Sequence, residues 1–113
     1  MQPFLVSVEE KAPGHYAVVL SGEIDLSVTG RLEAHLAPMI TQDALLAADL
    51  SRVSFMDSSG LHLLNRITKL AESRGARFRL CAPSPEVRRV FDLVGAELFL
   101  EIRDDMSAAL AES

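Results

Sequence analysis

A short run of small polar residues, Asp57-Ser58-Ser59-Gly60, is the part of the sequence best suited to chemistry. It lies between a strand-like segment that ends at Met56 and an apolar helical segment that begins at Leu61. Aspartate and serine are preferred helix N-caps, because their side-chain oxygens accept hydrogen bonds from the free amides of the first turn. Those amides and the positive end of the helix dipole also favour an added phosphate. The run therefore predicts either a structural cap or a phosphorylation site at Ser58 that acts as a charge switch.

Catalysis and metal binding find little support in the sequence. A nucleophile elbow has glycine two residues before and two residues after its serine, whereas Met56 and Gly60 occupy those places around Ser58. The phosphate-binding loop that ends in Gly-Lys-Ser/Thr and the three-glycine dinucleotide pattern are both absent. We therefore expect no enzymatic activity, no cofactor and no metal ion. The possible metal ligands are too scattered for a local motif: His15, His35, His62 and Cys81.

Composition narrows the class of protein further. The 113 residues contain 11 Lys and Arg against 16 Asp and Glu, which gives a net charge of −5. An acidic balance disfavours nucleic acid and anionic membranes as partners. No apolar run approaches the ~20 residues of a membrane span, and the N-terminus lacks a signal-peptide pattern. One cysteine, Cys81, suits a reducing compartment, where it is expected to be an inert buried thiol. We expect one cytoplasmic domain over residues 1–113, either a monomer or a weak dimer.

Short apolar runs predict five strands that position the polar run. Residues 4–8 and 15–20 are β-branched and aromatic and flank a proline-glycine turn, which favours a hairpin. Residues 44–48 are continuously apolar, which is typical of a central strand covered on both faces. In 77–80 two apolar residues alternate with two arginines, which predicts a strand. Leucine and isoleucine alternate over 98–102, which predicts the last strand.

Apolar residues at helical spacing predict four helices between and after these strands. Ser27 is expected to cap the first helix, and the second begins in the polar run and ends at Gly75. Ser84 followed by Pro85 begins the third helix, and an aspartate at 104 or 105 caps a short fourth one. The order β-β-α-β-α-β-α-β-α predicts an α/β fold with a mixed, mostly parallel sheet. The third helix is expected to bury four residues: Val87, Val90, Phe91 and Val94.

Three blocks of the sequence resemble the STAS domains of bacterial anti-sigma factor antagonists. The first block is 20–25, Leu-Ser-Gly-Glu-Ile-Asp. The second is Asp-Leu-Ser at 49–51 leading to Phe-Met-Asp-Ser-Ser-Gly-Leu at 55–61, and the third is 84–91 with Gly95. The resemblance runs from about Phe4 to Leu110. It implies a single STAS-like domain whose sheet of about five strands has its helices mainly on one side.

The resemblance also implies a function based on partner switching. In this family the unphosphorylated antagonist binds an anti-sigma factor that is also a serine kinase, and so releases a sigma factor for transcription. The kinase phosphorylates the hydroxyl residue that corresponds to Ser58, and a metal-dependent serine phosphatase reverses this. Ser59 matches the neighbouring hydroxyl position, and Gly60 permits a tight start to the helix. Asp25 and Asp57 correspond to positions at the partner-facing end.

Several of these residues, and the function itself, have more than one interpretation. His62 departs from the glycine that many relatives have beside the switch, and it is included among the expected partner contacts. Asp25 is equally well explained as a residue at a strand end or turn. Arg88 and Arg89 are interpreted as a solvated helix face or, with less support, as a patch that contacts an acidic partner. Two alternative functions compete with the antagonist: a STAS scaffold of another signalling or lipid-transport assembly without a phosphate switch, and, with less support, a small hydrolase that uses Ser58.

Overall fold

A computed structural model describes residues 3–111 of the chain. Within this range five strands and four helices follow one another in the predicted order. The opening hairpin, the long second helix and the short fourth helix are all confirmed. The elements are β1 (Leu5–Ala12), β2 (His15–Ile24), α1 (Leu26–Leu36), β3 (Leu45–Met56), α2 (Ser58–Ser73), β4 (Arg77–Cys81), α3 (Pro85–Val94), β5 (Ile102–Arg103) and α4 (Met106–Leu110).

The strands form one mixed sheet in the order β1-β2-β3-β4-β5. β1 pairs with β2 in antiparallel orientation, and the three other pairings are parallel. β3 is therefore the central strand, as its continuous apolar run predicts. Its residues 45–48 are all buried, because helices cover both faces of the sheet at this point. The predicted fold class is confirmed.

The two faces of the sheet are covered unequally. Helices α1, α2 and α3 pack on one face over a large apolar core that contains Leu20, Leu46 and Phe91. The short α4 packs on the other face, where Ala109 contacts a small cluster around Ala47. Three of the four helices therefore lie on one side of the sheet, as expected. No helix within residues 3–111 has both the length and the apolar character needed to cross a membrane.

Arg79 on β4 is a charged residue buried within the sheet. Its residue is only 1% exposed, on the face that α4 covers. The guanidinium contacts the Glu101 carboxylate at 3.1 Å and donates to the backbone carbonyls of Ala109 and Ala111. A buried guanidinium needs such partners, because an unpaired buried charge is strongly destabilising. Arg79 thus anchors the C-terminal end of α4 to the sheet.

Three local predictions are wrong. The cap of α1 is Asp25, since its carboxylate accepts a hydrogen bond from the Ser27 amide, so Ser27 lies inside the helix. Val94 is 47% exposed because it occupies the last turn of α3, beyond the core. Leu98 belongs to a single 3₁₀ turn (Ala96–Leu98) and is exposed, so the last strand is only Ile102–Arg103.

The two strands next to the polar run are longer than the apolar runs from which they were predicted. β2 continues to Ile24 and β3 continues to Met56, and these two residues are paired in the parallel register. The carboxyl ends of both strands therefore reach the same edge of the sheet. Each strand is followed at once by an aspartate and then by a helix. This edge, where β2 and β3 end, is called the carboxyl edge below.

Candidate functional site

Asp25 and Asp57 have equivalent positions at the carboxyl edge. Each follows a strand directly, has an extended backbone conformation and is the N-cap of the next helix. The Asp57 amide donates to the Ile24 carbonyl at 3.4 Å, which ties the two strand ends together. The N-termini of α1 and α2 therefore emerge side by side. Their unsatisfied amides give this edge a partial positive charge that both carboxylates offset.

The Asp57 carboxylate is the cap of α2. One oxygen accepts hydrogen bonds from the amides of Ser59 at 2.9 Å and Gly60 at 3.3 Å. The sequence allowed Asp57, Ser58 or Ser59 to fill this role, and the structure assigns it to Asp57. Ser58 is the first residue of α2 and is exposed, whereas Asp57 and Ser59 are half-buried. The Ser58 hydroxyl is thus accessible and is not used to cap the helix.

Gly60 allows α2 to start close to the ends of β2 and β3. A Cβ atom at this position would lie 2.6 Å from the Met56 side chain and 3.2 Å from the Ile24 carbonyl oxygen. Both distances are shorter than ordinary van der Waals contacts. The backbone of Gly60 is buried and sits within the first turn. Only glycine therefore fits without displacing the helix that carries Ser58.

The same edge carries the remaining residues that the sequence singles out. His62 is exposed and lies one helical turn after Ser58, so the two residues share a face of α2. The Asp25 carboxylate accepts from both the amide and the hydroxyl of Ser27, at 2.9 and 2.5 Å. All six predicted site residues thus lie at the N-terminal ends of α1 and α2, as caps or within the first five residues of α2: Asp25, Asp57, Ser58, Ser59, Gly60 and His62.

Sequence reasoning missed two apolar residues at this edge. Leu26 is the first residue of α1 and is 75% exposed, and Phe55 near the end of β3 is 46% exposed. Leu26 does not belong to the buried stripe of α1, which begins at Val28. A large apolar residue outside the periodic stripe is the signal that could have revealed Leu26. Phe55 has no comparable signal; it is paired with Glu23 and therefore lies on the face of the sheet opposite to the buried Ile24 and Met56.

Cys81 lies away from this edge, in the small core beneath α4. Burial raises the pKa of its thiol from 9.0 to about 12, and the nearby carboxylates of Asp49 and Asp105 contribute in the same direction. A thiol with such a pKa carries almost no thiolate at neutral pH and is unreactive. In the part of the chain that the structure describes, no three His, Cys, Asp or Glu side chains are placed to hold a metal ion.

A groove of about 490 Å³ lies at the opposite end of the sheet. It is lined by the second half of α2, the start of β4 and residues 97–101. None of its lining residues belongs to the carboxyl edge. Ser58 lies on an exposed helix start, whereas a catalytic nucleophile usually lies in a cleft with a base. The carboxyl edge therefore suits contact with a protein surface.

The fold and the site define a class of small regulatory α/β domains in which a serine at a helix N-terminus is exposed at one end of a mixed sheet. A family model described as "STAS domain" matches residues 8–109. The chain belongs to the STAS domain family of anti-sigma factor antagonists.

Similar proteins carry names from this regulatory family. An anti-sigma-B factor antagonist of Bacillus subtilis is 33% identical over 75% of this chain and 78% of the relative. An anti-sigma F factor antagonist of Paenibacillus polymyxa is 32% identical over 88% of this chain and 86% of the relative. The anti-sigma factor antagonist SpoIIAA has been solved in its unphosphorylated form, which is 27% identical and has a TM-score of 0.73 over 92% of both chains.

The phosphorylated form of SpoIIAA, a Bacillus cell fate determinant, also resembles this chain. It is 26% identical and has a TM-score of 0.67 over 92% of this chain and 96% of the neighbour. The same fold thus accommodates both the phosphorylated and the unphosphorylated state of that protein.

Proposed function

We propose that this protein is an anti-sigma factor antagonist whose binding is switched off by phosphorylation of Ser58. In its unphosphorylated form it binds an anti-sigma factor with serine kinase activity and thereby releases a sigma factor in the cytoplasm. A metal-dependent serine phosphatase returns the phosphorylated form to the binding state. The names of the relatives support the antagonist role, and the two forms of SpoIIAA support a phosphate switch.

The accessibility of Ser58 is the observation that most directly supports a phosphate switch. The Asp57 carboxylate already caps the helix, so the Ser58 hydroxyl is not needed as a cap. A kinase can reach a side chain that is exposed at the first helical position. The free amides and the dipole of α2 offset part of the phosphate charge. Phosphorylation therefore adds charge to the surface without requiring the domain to unfold.

The effect of the phosphate on binding follows from its charge and its position. A phosphoserine carries about −1.5 to −2 charges at neutral pH. At Ser58 these charges stand beside the carboxylate of Asp57 on a protein that is already acidic. An interface that accepts a neutral hydroxyl must then desolvate a doubly charged group. Like charge and desolvation both weaken the complex.

The direct test is transfer of phosphate from ATP by the anti-sigma kinase of the host. We expect mass spectrometry to locate one phosphate on Ser58 in the wild type and none in Ser58→Ala. Ser59→Ala is the matched control, because it removes the adjacent hydroxyl and leaves Ser58 in place. Phosphate that persists in Ser58→Ala would contradict the assignment. A kinase complex that forms without any phosphate transfer would favour a STAS scaffold that has no switch.

A further inference from the structure

Exposed apolar side chains are concentrated in one short segment of the chain. Eight large apolar side chains are exposed within residues 3–111, and four of them lie between positions 93 and 99. Two of these four, Leu98 and Phe99, line the groove at the end of the sheet opposite to the carboxyl edge. Exposed apolar residues that cluster beside a groove are typical of a protein interface. The groove is therefore a second candidate interaction surface.

Leu98 protrudes from a well-defined turn at the rim of this groove. It is 88% exposed and belongs to the 3₁₀ turn Ala96–Leu98. The amides of residues 98–100 donate to the carbonyls of Gly95 and Ala96 at 2.8–3.0 Å. These hydrogen bonds fix the backbone before any partner arrives. Burial of Leu98 by a partner therefore requires little further ordering of the chain.

The floor of the groove is apolar and its rim is charged. Buried core residues form the floor: Ala71, Ala76, Phe78 and Leu100. Four exposed charged residues stand at the rim: Lys69 and Glu72 on α2, Arg77 at the start of β4, and Glu97 beside Leu98. None of these four takes part in an ion pair within residues 3–111. Glu101 also lines the groove, but its carboxylate is held by Arg79. The rim thus offers two positive and two negative charges to another molecule.

The charge balance of the rim favours a second copy of the same chain as the occupant. The protein carries a net charge of −5, so two copies repel one another unless the surfaces that meet are locally balanced. The unpaired charges of the groove are balanced in this way. A partner surface of one sign would meet like charge at half of the rim positions. In a symmetric contact each copy presents the same surface to the other, so both signs can be matched.

We propose that the protein forms a symmetric dimer through this groove, with Leu98 of each copy inserted into the apolar groove of the other. Glu97 accompanies Leu98 and thereby approaches the α2 side of the other groove, where Lys69 stands. Each of these contacts occurs twice in the dimer. The carboxyl edges lie at the far ends of the two copies and stay free. The dimer is thus independent of the proposed function at Ser58 and compatible with it.

Sedimentation equilibrium of the purified protein over a range of concentrations tests the dimer. We expect the mean mass of the wild type to rise with concentration from 12.3 kDa towards twice that value. Leu98→Ala should raise the Kd of the dimer by about tenfold or more, because the symmetric contact loses two anchors at once. The matched control is Leu26→Ala, which truncates a leucine that is 75% exposed at the carboxyl edge. This control should change the Kd less than about twofold.

Charge reversal tests how the two copies are oriented. Lys69→Glu and Glu97→Lys should each raise the Kd of the dimer by about threefold to tenfold, because each brings like charges together at two symmetric contacts. The double variant restores opposite charges, so its Kd should return to within about twofold of the wild type. An absence of recovery in the double variant would overturn the proposed arrangement.

Other results would also overturn the dimer. One is a wild type that stays monomeric at concentrations up to about 1 mM. Another is a dimer whose Kd is unchanged in Leu98→Ala or raised only in Leu26→Ala, since the contact would then lie elsewhere. If the protein is monomeric and Leu98→Ala lowers its affinity for the host's anti-sigma kinase, the groove belongs to that partner and not to a second copy. Melting curves of all variants separate misfolding from an interface effect, and phosphate transfer to Ser58 is measured independently of these results.

Discussion

Asp25 and Asp57 are capping residues of the same kind, each placed between the end of a parallel strand and the start of a helix. The register that pairs Ile24 with Met56 brings the two caps to one edge of the sheet. Each carboxylate accepts the amide two residues ahead at 2.9 Å. The residue after each cap is exposed: Leu26 in one case and Ser58 in the other. A repeated strand-cap-helix unit thus presents one apolar and one phosphorylatable side chain together.

The cap of α2 makes a measurable contribution to stability. Asp57→Ala removes the acceptor of two amides and should lower the free energy of unfolding by about 0.5–2 kcal/mol. Asp57→Asn keeps an oxygen acceptor at the same place and should lose only a few tenths of a kcal/mol. Urea denaturation of both variants measures the difference, with the exposed Asp104→Ala as a control. An equal loss in both variants would show that the carboxylate acts through its charge at the helix dipole.

Two glycines in neighbouring helices should respond to alanine in opposite directions. Gly60→Ala places a Cβ against Met56 and the Ile24 carbonyl and should destabilise the fold by about 1–3 kcal/mol. Gly30→Ala on α1 meets nothing within 4 Å and should stabilise it by about 0.5–1 kcal/mol, because alanine is the better helix former. Denaturation midpoints of the two variants test the sign. Stabilisation by both substitutions would refute the close packing of α2 on the strand ends.

Local sequence patterns predicted the features that depend on neighbouring residues. The apolar run 44–48 indicated the central strand, because only a strand covered on both faces has no polar positions. Ser84 and Pro85 indicated the start of α3, and the Ser84 hydroxyl does accept the Val87 amide. Gly75 and Gly95 indicated helix ends, and both have positive φ angles. These features follow from capping and backbone preferences that act over a few residues.

Features that depend on distant residues were not predictable in this way. Arg79 is buried because Glu101, Ala109 and Ala111 provide its partners, and these lie 22 to 32 residues further along the chain. A single arginine in an alternating strand contains no sign of them. Within the site, three adjacent residues were all suitable caps for α2. Only the folded backbone assigns the cap to Asp57 and leaves Ser58 exposed.

The raised pKa of Cys81 predicts a loss of stability at alkaline pH. The thiol of the unfolded chain loses its proton near pH 9.0, whereas the folded protein holds it until about 12. Between these values the unfolded state binds fewer protons, so the free energy of unfolding falls as pH rises, by up to about 1.4 kcal/mol per pH unit. Below pH 9 the group contributes no pH dependence.

The comparison of wild type with Cys81→Ala isolates this effect from other groups that titrate at alkaline pH. Denaturation of both proteins at pH 8 and at pH 10.5 should show a steeper decline for the wild type. The alanine variant starts from a lower or similar stability because it leaves a small cavity, so only the difference in slope is diagnostic. Parallel profiles would mean that the thiol ionises as readily in the folded protein as in the unfolded chain.

The final prediction is a pair of opposite phenotypes at Ser58. Ser58→Ala removes the phosphate acceptor but no cap, since Asp57 caps the helix. It should fold normally, bind the anti-sigma kinase like the wild type and stay bound in the presence of ATP. Ser58→Asp adds one negative charge next to Asp57 and should weaken binding, because the interface must then desolvate that charge. The mimic carries one charge and the phosphate nearly two, so the variant should show a partial loss of affinity.

Calorimetry measures the affinity of both Ser58 variants for the kinase. Ser59→Asp is the matched control, since it places the same charge on the adjacent half-buried residue. Equal affinities of wild type, Ser58→Ala and Ser58→Asp would contradict the phosphate switch but not the binding of the kinase. A loss of affinity in Ser58→Ala would instead show that the hydroxyl itself contacts the partner, as a hydrogen-bonding group that phosphorylation then blocks.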